Sequence, residues 1–169
     1  MKAIKLFSIA LAAMLVSSFA AAQGKVVVFN MQAALMQTNS AQQTLKALDS
    51  NSDFAAMKGK FESLRAELIS MDKDFQTNSM TWSAEQKADH RKKVEYKSAD
   101  LKLAAEKLKA ERNAVVQRIV KELGPKAKKV LDELVKAENI GLVLDSGAAF
   151  FATPEFDITG KVTAMLNKQ

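Results

Sequence analysis

Cysteine is absent from the chain, and histidine, glycine and proline are scarce. The missing cysteine excludes disulfide bonds, thiol nucleophiles and thiolate metal sites. The one histidine, His90, has no partners with the spacing of a zinc site or of a catalytic triad. No glycine-rich phosphate loop is present. The sequence therefore predicts a protein that is not an enzyme and that uses no cofactor and no metal.

Residues 1–22 have the three-part layout of a secretory signal peptide. Two lysines precede an apolar core from Leu6 to Val16, and small residues follow, ending in the pair Ala20 and Ala22. The core is shorter than the roughly 20 apolar residues that cross a bilayer. We expect cleavage after Ala22 and export of residues 23–169 as a soluble chain.

Charge is concentrated in one part of the sequence. The whole chain has a net charge of +6, and the loss of Lys2 and Lys5 with the signal peptide lowers it to +4. Residues 85–130 contain fourteen basic and seven acidic side chains, a net charge of +7. The same region is rich in Ala, Lys, Glu and Leu, which is typical of long helices.

A heptad pattern of apolar residues begins at Phe54. The spacing alternates between three and four residues, which predicts a helix that packs along another helix at the coiled-coil period. We call these positions the first seam; its members are Phe54, Met57, Phe61, Leu64, Leu68, Met71 and Phe75.

A second and poorer seam follows a polar link, residues 76–83. Ser83 and Gln86 have the spacing of a capping box that opens a new helix. Two periodic segments joined by such a link predict an antiparallel helical hairpin. The pair Gly124-Pro125 interrupts the second helix, so we expect a kink or a restart there. The second-seam positions are Val94, Ser98, Leu101, Ala105, Leu108, Arg112, Val115 and Ile119.

Two short apolar runs, KVVVF from Lys25 and GLVLD from Gly141, flank the hairpin and read as strands. The hairpin would bring them together, and the run AAFFA (148–152) is expected to pair next. The continuous apolar pattern predicts strands that are buried on both faces. Because so small a sheet is a minimal core, we infer a homo-oligomer joined through the sheet. The residues assigned to this oligomer body are Val26, Val28, Leu142, Val143 and Leu144.

The order of signal peptide, first strand, charged hairpin and the ending GLVLD…AFF…FDIT resembles the Skp (OmpH-like) periplasmic chaperones over the whole mature chain. The resemblance implies a trimer whose strands form a shared body and whose helical arms enclose a cavity. It implies that unfolded outer-membrane proteins are held there without ATP. Departures from the family pattern are Gly124-Pro125 and Trp82.

Two groups of hairpin residues are candidate contact sites. A basic run is expected to attract acidic clients. The resemblance implies lipopolysaccharide or anionic phospholipid as a further partner of this run. The alternative is that the run is only a solvated helix face without a partner. Its residues are Arg91, Lys92, Lys93 and Lys97. Apolar client contacts are assigned to Met71, Phe75, Met80 and Trp82. Trp82 lies in the polar link, where either the cavity mouth or a staple against Met80 or Met71 is expected, in both cases near water.

The predicted fold class is α+β, with a small β-sheet body (residues 23–50 and 126–169), a long antiparallel coiled-coil hairpin arm (51–125) and trimeric assembly. The predicted function is an ATP-independent periplasmic holdase for unfolded outer-membrane proteins. The alternative is an envelope coiled-coil adaptor or structural protein with one specific partner. A histone-like nucleic-acid binder is a weaker alternative, because export removes most nucleic acid from the compartment, and no nucleic-acid partner is predicted.

Overall fold

The computed structural model describes residues 24–169, so the predicted signal peptide lies outside the described part. In chain order the elements are β1 (Lys25–Phe29), α1 (Met31–Met36), α2 (Asn39–Asp49), α3 (Ser52–Asn78), α4 (Ala84–Ala137), β2 (Ile140–Asp145) and α5 (Thr159–Leu166). Short 3-10 turns occupy Ser146–Ala148 and Pro154–Phe156. Long helices with a small sheet confirm the predicted α+β class.

The chain divides into two compact units. The body unit consists of residues 24–38 and 122–169, and the hairpin unit consists of residues 39–121. Helix α2, which the sequence analysis assigned to the body, lies in the hairpin unit.

In the body unit, β1 and β2 form a two-stranded parallel sheet. The predicted pairing of the two apolar runs is confirmed, and the register places Val26 beside Leu142, Val27 beside Val143 and Val28 beside Leu144. The parallel direction follows from the topology, because a long helical connection separates the strands.

The expected third strand at 148–152 was wrong. The carboxylate of Asp145 accepts a hydrogen bond of 2.8 Å from the backbone N–H of Gly147, which turns the chain out of the sheet at the end of β2. The next contact with β1 is a single bridge between Val28 and Asp157, where the N–H of Ile158 donates to the Val28 carbonyl at 3.0 Å.

Helices α1 and α5 pack against each other beside the sheet. The Thr163 hydroxyl donates to the Ala34 carbonyl at 3.1 Å, which joins the two helices directly. The deepest side chains of this unit include Leu35, Val130, Ile158 and Val162. Their burial forms the small apolar core expected from the sequence.

The hairpin unit contains α2, α3 and the first part of α4. Asn51 caps α3, since its side-chain oxygen accepts from the N–H groups of Asp53 (2.9 Å) and Phe54 (3.0 Å). The predicted capping box at the start of α4 is confirmed. Ser83 N–H donates to the Gln86 side chain at 2.8 Å, and Gln86 N–H donates to the Ser83 hydroxyl at 3.1 Å.

Contacts between α3 and α4 have the order of an antiparallel pair. Phe75 meets His90 near one end, and Glu67 meets Lys97 further along. In the middle of the second seam, the shielded positions lie one residue earlier in the sequence than predicted. Ser98 and Ala105 are exposed, whereas Lys97 and Ala104 are half-buried.

Helix α4 runs without a break through Pro125, so of the two expected alternatives the restart was wrong and the kink stays a prediction. Proline inside a helix removes one backbone hydrogen bond and costs about 3 kcal/mol. Side chains on either side of it, Ile119, Ala127 and Val130, are buried. This burial offsets the cost and keeps the helix continuous.

Candidate functional site

The body unit exposes a group of large apolar side chains, which we call the body surface. Its members are Val26, Leu142, Leu144, Phe150, Phe151 and Phe156. Val26 and Leu142 are about half exposed (48% and 49%), so the strands are not buried on both faces within one chain. The other two residues that were predicted for the oligomer body are less exposed: Val28 is buried and Val143 is half-buried.

A shallow groove of about 340 Å³ lies within the body surface. Val26, Leu144, Phe151 and Phe156 contribute to its walls. The hydroxyl oxygen of Thr153, which also lines the groove, is buried without a hydrogen-bond partner among residues 24–169. Buried polar groups are normally paired, and contiguous exposed apolar surface marks a contact site. The body surface is thus a candidate site for protein contact.

Three rings meet where α3 gives way to α4, and we call them the tip cluster. Trp82 lies 4.9 Å from His90 and 5.8 Å from Phe75, and the rings of Phe75 and His90 stack at 5.3 Å between centroids. Trp82 is half-buried, so its ring is only partly shielded, and its expected place near water stays a prediction. The alternative of a staple against Met80 or Met71 stays a prediction. The polar link separates His90 from Phe75 in the sequence, so no local spacing indicated their contact.

The predicted apolar contact residues differ in exposure. Met80 is almost fully exposed (94%), Phe75 is 41% exposed, and Met71 is half-buried in the seam. Sequence reasoning missed further exposed apolar side chains on the hairpin, namely Ile69, Tyr96 and Leu103. Tyr96 and Leu103 are seven residues apart and off the seam, which is the signal that could have revealed them.

The structure separates Lys97 from the rest of the predicted basic run. Arg91, Lys92 and Lys93 are exposed on α4. The Lys97 ammonium instead donates to the Glu67 carboxylate across the hairpin. This hydrogen bond, aided by one from Ser63, holds the pKa of Glu67 below its usual value. Lys97 therefore joins two helices and offers less free charge to a partner.

A second ion pair lies in the body unit. Lys161 donates to both carboxylate oxygens of Glu138, at 2.6 and 2.8 Å. The hydrogen bond from Lys161 lowers the pKa of Glu138. The pair links the start of α5 to the residue that follows α4.

Within residues 24–169, no group of three or more His, Asp or Glu side chains is placed to hold a metal ion. None of the helices in this part of the chain combines the length and the apolar character that crossing a membrane requires.

The match to a known family spans almost all of this architecture. A family model described as "Outer membrane protein (OmpH-like)" matches residues 25–166, from the first residue of β1 to the last residue of α5. The chain belongs to the OmpH-like family. The family resemblance drawn from the sequence is confirmed.

The chain is also similar to two further proteins. A "Skp-like protein" of Pseudomonas aeruginosa PAO1 is 24% identical over 162 residues, which cover 96% of this chain and 95% of the relative. A solved structure from Caulobacter crescentus CB15, proposed to be an OmpH-like outer membrane chaperone, is 16% identical. It overlays 86% of this chain on 85% of that one with a TM-score of 0.49.

Proposed function

We propose that this OmpH-like protein is a periplasmic chaperone that holds unfolded outer-membrane proteins without ATP and prevents their aggregation. The observation that carries the proposal is the hairpin surface, where large apolar side chains are exposed on the same unit as Arg91, Lys92 and Lys93. Ile69, Met80, Tyr96 and Leu103 are each more than half exposed. Membership of the OmpH-like family supports a chaperone role.

The mechanism has an electrostatic step and an apolar step. Arg91, Lys92 and Lys93 are exposed and increase the rate of encounter with acidic segments of a client. Exposed apolar side chains then contact the client loosely, and flexible Met80 suits varied sequences. Enclosure keeps exposed client strands from pairing with one another. Lipopolysaccharide or anionic phospholipid is a further proposed partner of the basic residues.

The active form is a homotrimer joined through the body surface. Support comes from the half-exposed Val26 and Leu142 and the fully exposed Phe150, because groups of exposed large apolar side chains mark sites of protein contact. The buried Thr153 hydroxyl in the same surface would gain a partner from a neighbouring chain. Hairpins from several copies would then enclose the client.

The test dilutes several unrelated barrel proteins from urea into buffer with the mature protein and without ATP, and follows light scattering. Suppressed aggregation of every barrel protein is the expected result. If one protein is bound tightly and the others aggregate as they do alone, the chain is instead an adaptor with a specific partner. Mass in solution, measured on the same sample, tests the trimer separately.

A further inference from the structure

A groove of about 390 Å³ lies on the hairpin unit beside the tip cluster. Its apolar walls are Leu68 and Phe75 on α3 and Val94 on α4. Leu68 and Val94 are half-buried seam residues, while the Phe75 ring is 41% exposed. The ring of His90 also lines the groove and stacks on Phe75. A flat apolar ring of suitable size could therefore enter against two rings already in contact.

The charged residues of the groove are predominantly positive. Lys87 and Arg91 line it from α4, and Asp72 lines it from α3. The Asp72 carboxylate accepts a hydrogen bond of 2.8 Å from the Gln76 side chain. An anionic group beside an inserted ring would thus meet a guanidinium and an ammonium, against one carboxylate that Gln76 already engages.

We propose that this groove binds an aromatic side chain of an unfolded polypeptide when an acidic residue stands beside it in that polypeptide. The aromatic ring packs on Leu68, Phe75 and Val94, and the neighbouring carboxylate is held by Lys87 and Arg91. Aromatic rings favour offset or edge contacts with other rings, which Phe75 and His90 provide. The inference rests on the proposed chaperone function and assigns a preferred class of client segment to it.

The tip cluster supplies a reporter for the groove. Trp82 is the only tryptophan, and its ring packs beside Phe75 and His90, two residues that line the groove. A ring that enters the groove changes the surroundings of these two partners. Binding of a tryptophan-free ligand should consequently shift the Trp82 emission.

The experiment uses the mature full-length protein and three capped, tryptophan-free peptides of equal length. They contain Phe-Glu pairs, Phe-Lys pairs or Ala-Glu pairs. Affinity is measured by anisotropy of a fluorescent label, and Trp82 emission is recorded in parallel with unlabelled peptide. We expect the Phe-Glu peptide to bind most tightly and to be the one that shifts the emission.

Two single variants assign the charge contact. Lys87→Gln should weaken Phe-Glu binding by about fivefold, the upper range for one exposed ion pair. Lys102→Gln is the matched control, since it removes the same charge from an exposed position on α4 that lies outside both the groove and the basic run. Both residues are exposed, so neither change should alter the fold. Equal weakening by the two variants, or equal binding of the Phe-Lys peptide, would overturn the proposal.

A third arm uses vesicles that contain anionic phospholipid. If vesicles shift the Trp82 emission through Lys87 and the Phe-Glu peptide does not, the groove takes lipid and the proposal fails. Failure of the chaperone function is separate. If the protein suppresses aggregation but the Phe-Glu peptide does not bind the groove, only the groove proposal is rejected. If the peptide binds but aggregation is not suppressed, only the chaperone function is rejected.

Discussion

The side-chain amide of Asn30 donates a hydrogen bond of 3.1 Å to the hydroxyl of Ser146, although 116 residues separate them in the chain. The other end of the same side chain accepts from the N–H of Ala33 at 2.8 Å and caps α1. The backbone N–H of Asn30 donates to Thr159 at 3.0 Å. One residue thus joins the end of β1, the turn after β2 and the start of α5.

Replacing this residue should destabilise the body unit. Asn30→Ala removes the cap of α1 and the contact with Ser146, and we expect a loss of about 2 kcal/mol in the free energy of unfolding. Urea unfolding followed by circular dichroism measures it. Asn30→Asp keeps the acceptor for Ala33 but cannot donate to Ser146, so its loss should be smaller. An Asn30→Ala protein as stable as the unaltered chain would contradict the role given to this residue.

The ion pair between Lys97 and Glu67 predicts a dependence on pH. Its hydrogen bond lowers the pKa of Glu67 in the folded state below the ordinary value of 4.5. The stability from this pair is therefore fully present above that ordinary value and is lost as the pH falls through the lowered pKa. Glu67→Gln should lose less stability than the unaltered chain between about pH 6 and pH 3.

Urea unfolding at each pH gives this difference directly. Glu106→Gln is the matched control, because it makes the same chemical change at an exposed position on α4. The control should follow the unaltered chain. If stability falls with pH in Glu67→Gln just as it does in the control and in the unaltered chain, the ion pair does not contribute to the loss of stability in acid.

Oligomer formation through the body surface can be tested with a charge. Leu142→Asp places a carboxylate in the proposed interface, where burial without a partner is costly. We expect a lower mass by sedimentation with the helix content retained. Leu103→Asp makes the same change at a residue of similar exposure on the hairpin (51% against 49%) and should leave the mass unchanged. Unaltered mass for Leu142→Asp would place the interface elsewhere.

The exposed basic residues should govern the rate of client capture. Replacing Arg91, Lys92 and Lys93 with Glu reverses three charges outside the seam and should slow capture at low salt in stopped-flow mixing. The difference should shrink at higher salt, because screening acts within about 10 Å at 0.1 M.

The matched control reverses Lys126, Lys128 and Lys129, which are exposed on the same helix but lie in the body unit. This control should capture clients faster than the first variant. Capture at one rate by both variants would show that only the net charge matters.

Periodicity and cap chemistry predicted most of the fold. The long helix α3 and the capping box at Ser83 depend on local patterns, and each was found as predicted. The two apolar runs also pair as predicted, although the sequence did not predict their register. The errors had two different causes, one tertiary and one local. Burial of Ala127 and Val130 keeps α4 intact across Pro125, and the Asp145 turn diverts the AAFFA run from the sheet.

The candidate site was predicted less completely because its parts are distant in sequence. Phe75 and His90 are joined only when α3 and α4 fold back on each other, and no local pattern reports that contact. Lys97 was read as a free cation, since its partner Glu67 lies thirty residues earlier in the chain. Tyr96 and Leu103 were missed because they are exposed on a helix face that the heptad pattern of the seam does not include.

Pro125 has one more effect on α4, which concerns amide hydrogen exchange. Proline has no N–H, so the backbone hydrogen bond from residue 125 to the Lys121 carbonyl cannot form within this 54-residue helix. Fewer hydrogen bonds hold the turn between residues 121 and 125 than hold its neighbours, and local opening there requires less free energy. The helix, although unbroken, should exchange with deuterium as two protected segments on either side of that turn.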